Sequence, residues 1–336
     1  MTLSTSSSDS AQPPWHKVWA VALILSLVVV GSWETLVRQA NLGPEYNDNR
    51  SLWANARHTL NDHGDNAIAL LGASRLQYAV DVQTMSDAFE RPVIQLSVEG
   101  TSALALLENL AADPRFRGTL IYSIAPAFSF SSIHPRIETG KQREWVQHYL
   151  GQSRSRRMEQ SMRLYLQGLL AFRSPDAQLT RVLPSVLNTG SLPDRDQKTT
   201  FANRVLHKDY SKLSADVDEL GMAQFYLENS VPYIQPEFAV VLNYMNTLVQ
   251  LLRNKGVDVY FVRLPSSAEV KLIESVLFPR PTFWGLMEQR LDARFIHADD
   301  YPEMAGFMSQ DGSHVDSQHI VEFTTLLIGA LRENQL

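Results

Sequence analysis

Ala67-Ile68-Ala69-Leu70-Leu71-Gly72-Ala73-Ser74-Arg75 is the stretch on which the fold turns. Five apolar residues without alternation read as a short strand buried on both faces, and Gly72 stops it. A serine two residues later stands at the start of the next helix. Pro92 to Val98 and Thr119 to Ile124 repeat the strand pattern, with a helix such as Ser102 to Ala112 between them. Strands alternating with helices predict a parallel sheet with helices on both faces, whose ligands gather at the carboxyl ends of the strands. Ser74, Gly100 and the Ala125-Pro126 turn all follow such strands, so one sheet edge collects them.

The pattern changes from Ser131 to Ser230, where helical stretches (Glu144 to Phe172, Asp209 to Glu228) are separated by Arg173-Ser174-Pro175 and by the loop Asn188 to Asp196. This region reads as a helical insertion or cap. The α/β pattern then resumes. Pro236 to Arg253 reads as a helix stopped by Lys255-Gly256, Val257 to Val262 as a strand, and a further helix precedes the short strand Arg294 to His297. Ser317 to Arg332 closes the chain as an amphipathic helix.

Of the 336 residues, 44% are hydrophobic and 20% charged, ordinary values for a chain that buries a core. The net charge of -6 argues against a nucleic-acid partner, which normally requires a concentrated basic surface. With no cysteine, neither a disulfide framework nor a thiolate metal site is available. Val18 to Trp33 is uncharged and apolar on every face, with its flank to Val37 it is long enough to span a bilayer, and Trp15, Trp19 and Trp33 bracket it as interfacial aromatics. A spanning anchor is therefore favoured over a buried core helix, which would show a stripe. A cleaved signal peptide is the rival. Val29-Val30-Gly31 would tolerate cleavage, but the preceding region has only Lys17 as a basic residue and no Ala-x-Ala. The expected division is an N-terminal tail 1–17, an anchor 18–37, a connector 38–66 with helical potential at Ser51 to Leu60, and an α/β domain 67–336 carrying the insertion at about 131–230.

Asp311-Gly312-Ser313-His314 supplies what Ser74 lacks. A serine hydroxyl is a weak nucleophile until a histidine takes its proton, and a carboxylate fixes the tautomer and orientation of that histidine. Each residue also has a plain reading. Ser74-Arg75-Leu76-Gln77 fits a helix capping box, Asp311-Gly312 is a turn dipeptide, and His314 alone is a surface or capping residue. The pairing of the two distant segments is what selects catalysis: Ser74 as nucleophile, His314 as base and Asp311 as its orienter. Val315-Asp316 would open the terminal helix that holds His314 against the sheet edge.

The order of serine, then Asp-x-x-His ahead of the last helix, resembles the SGNH/GDSL hydrolase superfamily. The resemblance covers roughly Ala67 to Ser129 and Pro236 to Leu331. It implies a flavodoxin-like three-layer α/β/α fold and a serine esterase or O-acyltransferase. In that family a glycine of the second block lends its amide to the oxyanion hole, which here implies Gly100 beside the Ser74 amide; the alternative is an ordinary turn glycine. Two departures stand out. The third-block asparagine is missing from Ser123-Ile124-Ala125-Pro126, and Ala73 replaces the aspartate of the GDSL pattern. They point to the membrane-anchored branch that includes alginate O-acetylation and D-alanyl-transfer proteins. That branch implies a catalytic domain outside the cytoplasm at the inner membrane, acyl esters of an envelope or exported polysaccharide as substrate, and a place in an envelope protein complex. The lysine and arginine flanks set no orientation of their own, since Lys17 on one side faces Arg38 and Arg50 on the other.

Arg75 and Arg263, both at strand ends, suit an anionic substrate such as a uronate or phosphate, or else structural ion pairs. Arg154, Arg156, Arg157 and Arg163 form the dense basic run, read as a solvated helix face or as a contact for anionic lipid or polymer. No phosphate-cradling glycine loop, dinucleotide fingerprint or convincing histidine ligand spacing occurs, so neither cofactor nor metal is expected. Retention of all three triad residue types favours an enzyme. The missing asparagine leaves open a second reading, a catalytically silent scaffold that binds polysaccharide or partner proteins.

Overall fold

The computed structural model describes residues 14–130, 140–193, 198–208, 210, 218–229, 235–307 and 311–336. The serine-rich stretch Met1 to Ser10 and both expected borders of the insertion lie outside them. The chain forms two compact units, one of Met1–Pro44 with Leu169–Arg195, the other of Glu45–Gly168 with Asp196–Leu336.

The larger unit is built on five parallel strands, β1 (Ile68–Leu71), β2 (Val93–Gln95), β3 (Thr119–Ser123), β6 (Asp258–Arg263) and β7 (Arg294–His297). Their order is β2-β1-β3-β6-β7, with Ile68 level with both Val93 and Thr119, Thr119 with Asp258, and Tyr260 with Arg294. The direction of winding reverses between β1 and β3. Alternate side chains feed two separate cores, which is why these strands read as continuous apolar runs. Ala69, Leu71, Leu120, Tyr122, Val259 and Phe261 face one core. On that side pack α2 (Arg50–His63), α5 (Leu104–Ala112), α7 (Gly140–Leu150), α11 (Gln235–Arg253) and α13 (Trp284–Arg290). Ile68, Leu70, Ile121, Tyr260, Val262 and Ile296 face the other, against α3 (Ser74–Ala79), α4 (Val82–Phe89) and α14 (Ile320–Glu333).

Several elements differ from expectation. The connector 38–66 has the helix expected at Ser51 to Leu60, as α2, but Trp53, Ala54 and Leu60 of that helix are buried in the sheet core, so this part belongs to the α/β fold. The single helix expected over Glu144 to Phe172 is two, α7 and α8 (Arg154–Leu169), broken at Gly151-Gln152-Ser153, where the chain leaves the i→i−4 ladder. The insertion is not wholly helical. Lys198–Thr200 (β4) and Leu206–Lys208 (β5) form an antiparallel hairpin, joined to the edge of the sheet by Arg204. Its buried guanidinium pairs with Asp48 and donates to the carbonyls of Gln95 and Ser97 at 2.8 Å each. Beyond β5 come Tyr210 and α10 (Asp218–Asn229), while α6 (Pro126–Ser129) and α12 (Ala268–Leu277) complete the helices of this unit.

The smaller unit holds α1 (Trp15–Gln39) and α9 (Leu179–Thr189). At 25 residues α1 is about 37 Å long, enough by length and composition to cross a bilayer, and it is exposed on nearly every face. Glu34, the first charged residue after the apolar run, is clamped by the amides of Ala171 and Phe172 at 2.9 and 3.0 Å. Val37, Leu42, Ala171 and Ala177 form this unit's own small core.

Candidate active site

Ser74 lies where β1 hands over to α3. Gly72 suits the space there: a Cβ would meet Ser123 Cβ at 3.0 Å and the Ser123 carbonyl oxygen at 3.2 Å, so a larger residue would push β1 and β3 apart by a few tenths of an ångström. The capping-box reading of Ser74 is corrected. Ala73, with extended backbone, is the cap residue and offers no side-chain bond, so Ser74 is already the first helical residue. Its hydroxyl meets His314 Nε2 at 2.9 Å instead, and Gln77 donates to Asp48 at 2.9 Å rather than turning back to the cap.

The Asp311-Gly312-Ser313-His314 loop folds on its own carboxylate. Asp311 Oδ1 accepts from the amides of Ser313 and His314 at 2.9 and 3.0 Å, while Oδ2 faces His314 Nδ1 at 2.7 Å and accepts from the Tyr210 hydroxyl at 2.7 Å. Burial opposes the charge on Asp311, but the His314 bond and charge, the Ser313 amide and the Tyr210 hydroxyl outweigh it and hold the carboxyl well below the usual range. An ionised carboxylate only accepts, so Nδ1 carries a proton, and in the uncharged tautomer this leaves Nε2 as the acceptor for the Ser74 hydroxyl. The ring also packs on Tyr78, with centroids 4.5 Å apart. From behind, Ser313 Oγ takes the Arg75 Nε–H at 3.0 Å, and the Gly312 carbonyl takes the Ser267 amide at 2.7 Å.

A cleft of about 380 Å³ opens on this triad. Phe128 of α6 with Met222 and Phe225 of α10 make an apolar wall, the two phenylalanine rings stacked 6.0 Å apart. Glu99, Gly100 and Lys208 line the polar side. Gly100 has φ +71°, a conformation glycine adopts without penalty, and a side chain there would enter open space. Burial raises the Glu99 carboxyl, yet Lys198, His314 and Lys141 overcome that and hold it below its ordinary value, so the cleft carries a carboxylate beside His314. Tyr78 donates to it at 3.2 Å.

Arg75 and Arg263, expected to meet an anionic substrate, are placed otherwise. Both are buried and both pair with Glu274 of α12, Arg75 at 2.9 Å, while Arg263 also donates to the Leu264 carbonyl. The Tyr226 hydroxyl accepts at 2.9 Å from the Arg75 Nη2 that also pairs with Glu274. Of the two readings of these residues, the structural ion pair is the one present. Arg154, Arg156, Arg157 and Arg163 lie on the exposed face of α8, with Arg157 paired to Asp62 at 3.3 Å.

Tyr210, Lys208, Phe225, Tyr226, Tyr78 and Glu99 belong to the site without having been expected from sequence. Only Glu99 carried a signal, as the neighbour of Gly100. No known protein family matches the chain, and no curated protein matches it either.

Proposed function

We propose that this chain is a membrane-anchored serine esterase or O-acyltransferase of SGNH type, acting on acyl esters of a cell-envelope or exported polysaccharide. The observation that carries this reading is the continuous line Ser74 Oγ, His314 Nε2, His314 Nδ1, Asp311 Oδ2, with contacts of 2.9 and 2.7 Å at the mouth of a cleft.

In this reaction Ser74 Oγ attacks the acyl carbonyl carbon as His314 Nε2 takes its proton. The ester C–O bond breaks, and the leaving alcohol takes that proton from His314. The acyl group then sits on Ser74 Oγ. Water or a sugar hydroxyl, deprotonated in turn by Nε2, attacks the acyl carbon; the acyl–Oγ bond breaks and His314 returns the proton to Ser74 Oγ. Asp311 stays ionised throughout and stabilises the imidazolium of each step. The Ser74 and Gly100 amides are assigned to the oxyanion, and the wall of Phe128, Met222 and Phe225 to the acyl group. α1 supports attachment to a membrane, and the resemblance implies the inner membrane with the catalytic unit on the extracytoplasmic side, where the polymer is met.

A fluorophosphonate probe tests the chemistry on the full chain. Labelling of wild type but not of Ser74→Ala supports the enzyme, whereas no labelling of either favours the silent polysaccharide-binding scaffold, the reading suggested by the missing third-block asparagine. Ester content of the exported polymer, compared between a deletion strain and one carrying Ser74→Ala, then separates the directions. A fall in both identifies the acyltransferase and a rise the esterase.

A further inference from the structure

We propose that α9 lies in the interfacial layer of the bilayer that α1 crosses, with its apolar face on the lipid. This rests on the reading of α1 as an anchor. α9 has only one buried apolar residue, Val182, yet Leu179, Leu183, Val186 and Leu187 are exposed, at 69, 57, 40 and 74%. The spacing i, i+4, i+7, i+8 puts these four on one face. Arg181, Ser185 and Asn188, at i, i+4 and i+7, form the opposite face.

The occupant is set by continuity with α1. Leu179 and Thr180 line one groove, of about 750 Å³, with Val28, Val29, Val30, Trp33 and Leu36. These α1 residues belong to the end of the apolar span. The Glu34 clamp on the amides of Ala171 and Phe172 fixes the chain leading into α9 at that same level. Trp33 is an interfacial aromatic by position, so α9 starts where acyl chains give way to headgroups. An amphipathic helix with an exposed aliphatic face and no acidic residue satisfies that layer by lying in its plane. Arg181 faces away from the lipid side and pairs with Asp176 at 2.6 Å.

The chain has no cysteine, so single cysteines report cleanly. Full-length Leu187→Cys, Ser185→Cys and Leu27→Cys are each labelled with an environment-sensitive fluorophore. They are reconstituted in phosphatidylethanolamine–phosphatidylglycerol vesicles, with brominated acyl chains or aqueous iodide as quencher. The expected result is quenching by brominated lipid at least about twofold stronger at Leu187→Cys than at Ser185→Cys, with iodide showing the reverse order. Equal iodide quenching at the two α9 sites, with Leu27→Cys still quenched by lipid, overturns the α9 placement and leaves the anchor standing. Shielding of Leu187→Cys from both quenchers identifies a protein cover, such as a second copy, and also overturns it. Loss of lipid quenching at Leu27→Cys overturns the anchor reading itself, and the α9 placement with it.

Discussion

The hydroxyl of Tyr210 donates a 2.7 Å hydrogen bond to Oδ2 of Asp311, the same oxygen that faces the Nδ1–H of the histidine. A carboxylate held by one partner can swing. This one is fixed from the insertion side by Tyr210 and from its own loop by two amides, so the imidazole it orients is fixed as well. Tyr210→Phe keeps the ring under Lys208 and removes only the donor. A hydrogen bond to a charged group contributes about 1.5–3 kcal/mol, so kcat is expected to fall about 10- to 150-fold where that contribution is felt in the transition state. Steady-state ester turnover with a parallel melting curve checks this; an unchanged kcat would show that the loop alone positions Asp311.

Ser74→Ala, His314→Ala and Asp311→Asn are each expected to reduce acyl-ester turnover by about 10⁴-fold, and their combinations by no more, because the three act as one unit. Asp311→Asn retains an oxygen for the Ser313 and His314 amides, so its loss arises from charge and tautomer, not from collapse of the loop. Circular dichroism and single-turnover kinetics distinguish these. Near wild-type turnover in any one variant removes that residue from its role.

Glu274 is the buried acid between two buried guanidiniums. Burial works against its ionisation, but Arg263 and Arg75 prevail and hold it below the ordinary carboxylate range. Glu274→Gln strands both arginines, and breaking such a buried pair costs about 3–5 kcal/mol. Lys271→Ala removes the exposed pair with Asp299 and should cost less than about 1 kcal/mol. Urea midpoints of the two variants provide the comparison, and equal shifts would contradict it.

His297 gives a pH dependence of known sign. Burial first, then the charges of Arg263 and Arg280, bring its imidazole down to about 4, although Asp299 and Asp300 pull the other way. In the unfolded chain it titrates near 6.5. Between these values the unfolded chain binds a proton that the fold does not. The contribution is therefore complete above about pH 6.5 and is lost as the pH falls toward about 4. His297→Gln should lose less thermal stability than wild type between pH 7 and pH 5. An equal or steeper loss in the variant would refute the assignment.

The strands and the triad could be read in the sequence because their signals are local. A run such as Ile68–Leu71 is apolar at every position only if both faces are covered, and Asp311 and His314 sit three residues apart on one loop. What was not legible depends on distant partners. Nothing near Arg75 announces Glu274 of α12, 199 residues beyond it. Ser74-Arg75-Leu76-Gln77 satisfies the capping pattern, yet His314 and Asp48 outcompete the backbone for its two polar ends. Tyr210 and Lys208 reach Asp311 because the β4–β5 hairpin hangs on the sheet edge through Arg204, and a short strand with a lysine at its end carries no mark of that position.

Ser74 and His314 are separated by 240 residues, with β1 at one end of the interval and the support of α14 following the other. Synthesis is directional, so the nucleophile is made long before its base exists. The hydroxyl is an ordinary, unreactive serine while β3, β6 and the hairpin are added. It meets His314 Nε2, the base of the proposed reaction, only when the loop before α14 closes over the sheet edge. If the proposed reaction holds, chain order acts as a timer: a nascent chain arrested anywhere before Asp311 carries the serine without the base and carboxylate that would activate it.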